Sequence, residues 1–264
     1  MIRVEFEKQF LRLRTLLTLG VMAAIPTLMV IALELRNRRP HDNDLFALAR
    51  HSGLNMPLAA LSAMTNFLLP AVVAIYAGSA IAEEASWGSL RYLLLRPVSR
   101  HRVLVSKLAA VLVLSLTAAL IIAVTGIIEG VVAFGWKPVL TPSLTEVQPG
   151  TAFLRLVVST FYVAWSMTGI IALGFMLSTL TDATMGAVSG AVGVAILSEI
   201  LVAITPLGGI RTILPTYHWH AWESLFATPV VTSHMAWGVL LQVPYIVVFL
   251  VVSWWWFHRK DILC

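Results

Sequence analysis

Charge is what this 264-residue chain has least of. Asp, Glu, Lys and Arg make up 12% of it, where an ordinary soluble domain carries about 25%. Cysteine is nearly absent as well. The single thiol, Cys264, excludes an intramolecular disulfide and a cysteine-cluster metal site, and no three residues follow it to form a prenylation box. No G-x-x-x-x-G-K-[ST] run occurs, so the chain has no phosphate-cradling loop of that type and is not expected to hydrolyse ATP by itself. No H-E-x-x-H occurs, and no cofactor or metal is expected. There is no sequence repeat, no low-complexity linker and no stretch polar enough to fold a soluble catalytic domain. Acids are mixed among the N-terminal bases and the apolar run behind them is long, which argues against a cleavable signal. The net charge of +5 sits mostly at the ends of apolar runs, where bases anchor and orient, so no nucleic-acid partner is expected.

Apolar residues make up 59% of the chain. They fall in runs of about twenty or more, the length a helix needs to cross the hydrocarbon. Six such runs are present, at about 15–35, 57–82, 108–134, 153–180, 183–204 and 235–257. Pro26 and Pro70 fall inside the first two and predict kinks. Ser99 or Ser106 is placed to start the third helix, and Thr181 or Asp182 to cap the fifth. Residues 205–231 are too rich in Pro, Gly and polar groups to cross. The nine Trp suit a protein with aromatic belts at the membrane interface. The fold class is therefore an all-α membrane protein, read as one domain over 1–264.

The first fourteen residues are amphipathic. Ile2, Phe6, Phe10 and Leu13 recur at helical spacing, with Arg3, Glu5, Lys8, Gln9 and Arg12 over much of the remainder. Such a helix is expected to lie in the interface, against membrane lipids. Six crossings put both termini on one side. With the termini inside, eleven Lys and Arg face the cytoplasm, among them Arg91, Arg96, Arg100, Arg102 and Lys107, against seven outside, including Arg36, Arg38 and Arg39. The positive-inside rule thus favours both termini in the cytoplasm of a multi-pass protein of the cell membrane.

Few residues stand out as chemistry. Gly186 and Gly190 form G-x-x-x-G, with Ala183, Ala187 and Ala191 also at steps of four, a pattern that lets helices pack closely. Ser189-Gly190 is the nearest thing to a hydrolase nucleophile and reads better as part of that packing face. Glu129 and Glu199 lie near the outer ends of spans three and five. An acid there lines a polar vestibule, sits wet at the interface, couples ions or protons, or pairs with an external base such as Arg211. His218, His220 and Glu223 are interleaved with Tyr217, Trp219 and Trp222, which suggests rings at headgroup depth ahead of a metal site.

The most informative stretch runs from Glu83 to Lys107, EEASWGSLRYLLLRPVSRHRVLVSK. Its charges force it out of the hydrocarbon, and Gly88 and Pro97 punctuate it. Between them Leu90, Leu93 and Leu94 need burial, on the membrane surface or on a partner. This arrangement resembles the permease subunits of ABC-2 type transporters. The resemblance rests on Glu83 or Glu84, Gly88-Ser89-Leu90-Arg91, Leu93-Leu94, Pro97-Val98-Ser99-Arg100 and Lys107. It implies a type V exporter-like fold: an N-terminal interfacial elbow helix, six transmembrane helices, and a short cytoplasmic coupling helix between spans two and three. It also implies two ATP-binding-cassette subunits and a second permease chain as partners. The cargo is expected to be hydrophobic or amphipathic, because no span carries a central charge. Two rivals stand beside this reading. One is an ATPase-independent ion-coupled transporter using Glu129 and Glu199. The other is an intramembrane enzyme centred on Ser189 or on the outer His/Glu segment.

Overall fold

Among the described residues five helices are long and apolar enough to cross a membrane, and a bent pair makes a sixth when it is counted as one span. The computed structural model describes residues 2–35, 48–88, 99–142 and 144–259, with side chains from Glu5 onward. A short helix α1 (Ile2–Phe10) turns at Leu11–Arg12 into α2 (Leu13–Leu35), the first span. Leu13 therefore belongs to the span and not to the elbow. The second span is broken into α3 (Asn55–Asn66) and α4 (Leu68–Ser79), bent by 56°. Pro70 explains the break: it offers no N–H to the carbonyl of Asn66, and its ring collides with that carbonyl. Pro26, in contrast, sits inside an unbroken α2. A five-residue helix α5 (Ala82–Ser86) ends the span.

The third span, α6 (Arg100–Phe134), starts eight residues earlier than the apolar run alone suggests. Ser99 is its N-cap, accepting from the Arg102 N–H at 3.4 Å. Ser106 lies inside the helix and donates to the Val103 carbonyl. At 35 residues, α6 is about 52 Å long, well beyond the ~30 Å hydrocarbon core. Its first two turns therefore stand out of the bilayer. A two-stranded hairpin follows, β1 (Val139–Leu140) against β2 (Glu146–Val147). Asn55 fastens it to α3, with its amide donating to the Leu140 carbonyl and accepting from the Leu140 N–H. The fourth span is α7 (Pro149–Ser166) continued by α8 (Thr168–Leu180), and the fifth is α9 (Thr184–Ala203). The Thr181 hydroxyl accepts from the Ala183 N–H ahead of α9, so it holds the turn without capping the helix. Two 3-10 segments, Thr205–Ile213 and Ala221–Phe226, lead to the sixth span α10 (Ser233–Arg259).

Helix α4 is the centre of the bundle, packed by α6, α8 and α9, while α8 also packs on α10. Lipid tails are as apolar as leucine, so close backbone approach has to supply the attraction that water supplies in soluble cores. The tightest approach is where α6 crosses the start of α3. A Cβ on Gly126 would meet Pro57, and one on Gly130 would strike the Gly53 carbonyl. On α9 the face turned into the chain is Ala187, Ala191 and Ala195. Gly190 touches Leu177, while Gly186 is exposed on the outer side.

At the end opposite the elbow, residues 205–231 do not cross, as expected, and their tryptophans pack into the chain. Trp219 and Trp222 are each 1% exposed. The cause is backbone capture. Tyr162, Arg155, Gln242 and Tyr245 donate to the carbonyls of His218, Leu225, Pro215 and Ile213, drawing the segment inward over the ends of α7 and α10.

Gly130→Val should destabilise the protein by at least about 1–3 kcal/mol, since backbone must move to admit the side chain. Gly20→Ala, with nothing within 4 Å of the new carbon, should stabilise by up to about 1 kcal/mol. Thermal unfolding of the two variants in one detergent checks both signs.

Candidate functional site

The elbow end concentrates the buried charge. Its local frame is set by one hydroxyl: Ser178 of α8 accepts from the N–H groups of both Ile81 and Ala82, at 2.9 and 2.8 Å. These are the donors freed where α4 gives way to α5. The bond fixes the start of α5, and with it the direction of the next two side chains, Glu83 and Glu84.

The two acids part company. Glu84, 4% exposed, accepts from Lys107 of α6 at 2.8 Å and also pairs with Lys8 of α1. Lys107, 1% exposed, reaches Glu5 of α1 at 3.5 Å as well. Glu83 instead takes Arg12 at 2.5 Å and Arg14 at 2.6 Å, the two bases at the turn into α2. The doubled acid thus serves two purposes. Glu84 ties α5 to α1 and α6, and Glu83 ties it to the α1–α2 corner. Burial raises the Glu84 carboxyl, but Lys107 and then Lys8 outweigh it and hold the group below its ordinary value of 4.5.

Helix α1 is oriented by the same contacts. Its Glu5 and Gln9 are buried, while Phe6 and Phe10 stack on each other at 6.2 Å and are half-buried. Glu5 and Gln9 thus face the protein and Phe10 packs against its core, while Glu7 and Lys8 stay exposed. Sequence reasoning set Lys8 and Arg12 among the polar residues of the amphipathic helix and missed these pairings. The available signal was the pair of adjacent acids at the end of a span, with three bases waiting on the preceding corner.

The segment after α5 begins at Gly88, whose φ of +66° only glycine adopts without strain, although a Cβ there would meet nothing. The expected coupling helix, with Leu90, Arg91, Leu93, Leu94 and Pro97, lies outside the described residues. The chain resumes at Ser99. Arg100 then donates to the carbonyls of Phe257 and His258 at 3.0 and 3.1 Å, satisfying the open C-terminal end of α10. The described residues on either side of 89–98 are anchored: α5 on α1, α6 and α8, and Arg100 of α6 on α10. Glu84 and Lys107 face inward. They tie α5 to α6 and do not themselves present a docking surface.

The remaining candidates lie elsewhere. Glu129 accepts from Thr27 of α2 at 2.5 Å, and its other oxygen is buried with no partner among the described residues. Glu199 also has one buried oxygen with no partner among them. Among the described residues neither pairs with Arg211, which donates to the Val202 carbonyl at 3.2 Å. His220 bridges Glu223 and Asn66 at 3.2 and 2.9 Å, and Ser62 donates to Glu223, so this cluster latches the outer segment onto α3. Burial, and next His234, lower the His218 imidazole below its usual range. Among the described residues no group of three or more His, Cys, Asp or Glu is placed to hold a metal. Ser189 donates only to the Gly186 carbonyl of its own helix, at 3.4 Å.

Residues 27–263 match the family described as "Protein of unknown function (DUF2705)". No curated protein matches the chain.

Removing one partner of a buried pair leaves the other charge stranded, so Glu84→Ala should cost about 3–5 kcal/mol. Lys8, 43% exposed, should cost no more than about 1 kcal/mol on truncation. Adding Lys107→Met to Glu84→Gln should recover much of the loss; unfolding measurements on the three variants test the ranking. The carboxyl is depressed in the folded state, so its contribution is complete above pH 4.5. It is lost as pH falls through the lower folded value. Elbow release, followed by proteolysis near Arg12, should therefore begin only below that pH.

Proposed function

We propose that this chain, which belongs to the DUF2705 family, is the membrane-embedded permease subunit of an ATP-driven exporter of the ABC-2 kind. The observation that carries the reading is the anchoring of the helices that flank residues 89–98. A segment whose two legs are tied to the elbow and to spans three, four and six passes a push at its tip to most of the bundle. A loop that served only topology has no use for a buried ion-pair network at its base.

In this reading two ATP-binding-cassette subunits lie beneath two permease chains, with both termini of each in the cytoplasm. Residues 89–95 dock on the ATPase through Leu90, Leu93 and Leu94, flanked by Arg91. ATP-driven closure displaces that helix, with Gly88 and Pro97 as its joints. The Glu84–Lys107 and Glu83–Arg12 pairs keep the elbow, α5 and α6 moving as one piece. Coupling requires that the docked helix bind one ATPase state more tightly than the other; adjacency alone transmits nothing. A hydrophobic or amphipathic cargo fits spans without a central charge.

A second reading draws on the buried oxygens of Glu129 and Glu199 that have no partner among the described residues. It makes the chain an ion-coupled transporter that needs no ATPase. Transport by the chain reconstituted with a candidate ATP-binding-cassette subunit separates the two. Leu93→Asp and Leu94→Asp should abolish co-purification and reduce ATP-driven export by at least tenfold, while Glu129→Gln and Glu199→Gln leave ATP dependence intact. Undiminished export by the leucine variants would defeat the permease reading, and ATP-independent transport lost with the two Gln variants would establish the second.

A further inference from the structure

His220 stands at the head of the 3-10 segment Ala221–Phe226, and its ring touches two parts of the chain at once. Nε2 lies 2.9 Å from Asn66 Oδ1 of α3, and Nδ1 lies 3.2 Å from Glu223 Oε1. The neighbours of those two oxygens fix which atom donates. Asn66 donates its Nδ2 to the Ser62 carbonyl at 3.1 Å. A carbonyl only accepts, so the amide cannot be turned round, and its oxygen is what meets the ring. Nε2 must therefore carry a hydrogen. On the other side, Glu223 Oε1 accepts from the Ser62 hydroxyl at 2.8 Å, and a carboxylate only accepts. Nδ1 must then carry a hydrogen as well, unless the carboxyl is itself protonated. An unperturbed imidazole keeps its proton up to about pH 6.5 and a carboxyl only to about pH 4.3, so the ring is the holder. A neutral ring has one hydrogen for two acceptors and cannot satisfy both.

The surroundings suit a charged ring. Glu199 of α9 is close enough for its charge to act on His220. Helix α3 bears no titratable side chain from Asn55 to Asn66. Among the described residues the bases on the other packed elements are engaged elsewhere: Arg155 of α7 on the Leu225 carbonyl, Arg211 on the Val202 carbonyl, and His234 of α10 beside His218. The side chains of His220 and Glu223 are 31% and 39% exposed, so protons can come and go. The contact also grips a weak point. Asn66 is the last residue of α3, at the 56° break in the second span.

We propose that His220 is a proton-operated latch: as the imidazolium it holds the 205–231 segment to the break in span two, and on losing its proton it gives up Asn66. The direction follows from which bond survives. With one hydrogen left, the ring keeps the carboxylate, because a charge-assisted bond is roughly twice as strong as a neutral one. Glu223 is three residues away on the same segment, so the bond that is lost is the long-range one. Two lone pairs, on Nε2 and on Asn66 Oδ1, then face each other and push the ring off α3. The latch is closed in acid and open in alkali. Ser62 still holds Glu223, so the segment loosens without leaving. The inference rests on contacts between residues 62–66 and 220–223 and does not depend on the permease reading.

Hydrogen exchange of residues 214–226 in the full chain in detergent, at about pH 6 and about pH 9 and corrected for the intrinsic pH dependence of exchange, tests this. Protection should be about tenfold greater at the lower pH. Glu223→Gln offers an amide hydrogen to Nδ1, so a neutral ring can keep both bonds, and protection should stay high at both pH values. His220→Ala should be poorly protected at both. A wild-type segment with no pH response would overturn the proposal. So would a response that persists unchanged in Glu223→Gln, which would assign it to His218 and His234. If His220→Ala does not fold, the wild-type and Glu223→Gln measurements decide the matter by themselves.

Discussion

The contact on which the rest depends is the Glu84–Lys107 pair. Both residues are buried at the elbow end, and each charge would be prohibitive there without the other. Because neither can be left alone, their positions constrain three chain segments at once: α1, which brings Lys8 and Glu5; α5, which carries the acid; and α6, which carries the base. Well-packed apolar residues could hold the same helices together, but they would tolerate sliding. An ion pair in a dry site tolerates little, since its energy falls steeply as its geometry is lost.

A division of labour follows. In the middle of the bundle, helices are held by close approach at Gly126, Gly130, Gly174 and Gly78, where a missing side chain lets backbone touch backbone. At the two ends, polar contacts take over. The elbow end uses ion pairs and the Ser178 hydroxyl. The far end uses side chains that capture the carbonyls of residues 205–231. At the elbow end mutual pairing makes buried charge tolerable, while between the ends apolar packing holds the helices.

Much of this architecture was legible in the amino-acid order. Every crossing was visible as an apolar run, and the break in span two was visible in Pro70, because hydrocarbon forces each backbone group into a helix and proline interrupts that helix locally. The buried tryptophans at 219 and 222 were not legible. Interleaved aromatic and polar residues have the composition of an interfacial helix, and only the four side chains that bond their neighbours' carbonyls turn them inward. Nor was the packing face of span five. Gly186 and Gly190 share their four-residue step with Ala187, Ala191 and Ala195, and periodicity alone does not say which stripe faces the chain.

Taken alone, the order of residues determined that this is a multi-pass helical membrane protein, that an amphipathic helix precedes the first span, and that one charged segment interrupts spans two and three. Those features follow from local periodicity and from the cost of charge in hydrocarbon. Which acid meets which base was decided only by the tertiary fold. Glu83 and Glu84 are neighbours with identical chemistry, and their partners lie about seventy positions upstream or over twenty downstream. Ser178, almost a hundred residues away, aims one acid at the elbow's corner and the other into the bundle, and no local pattern in the chain records that direction.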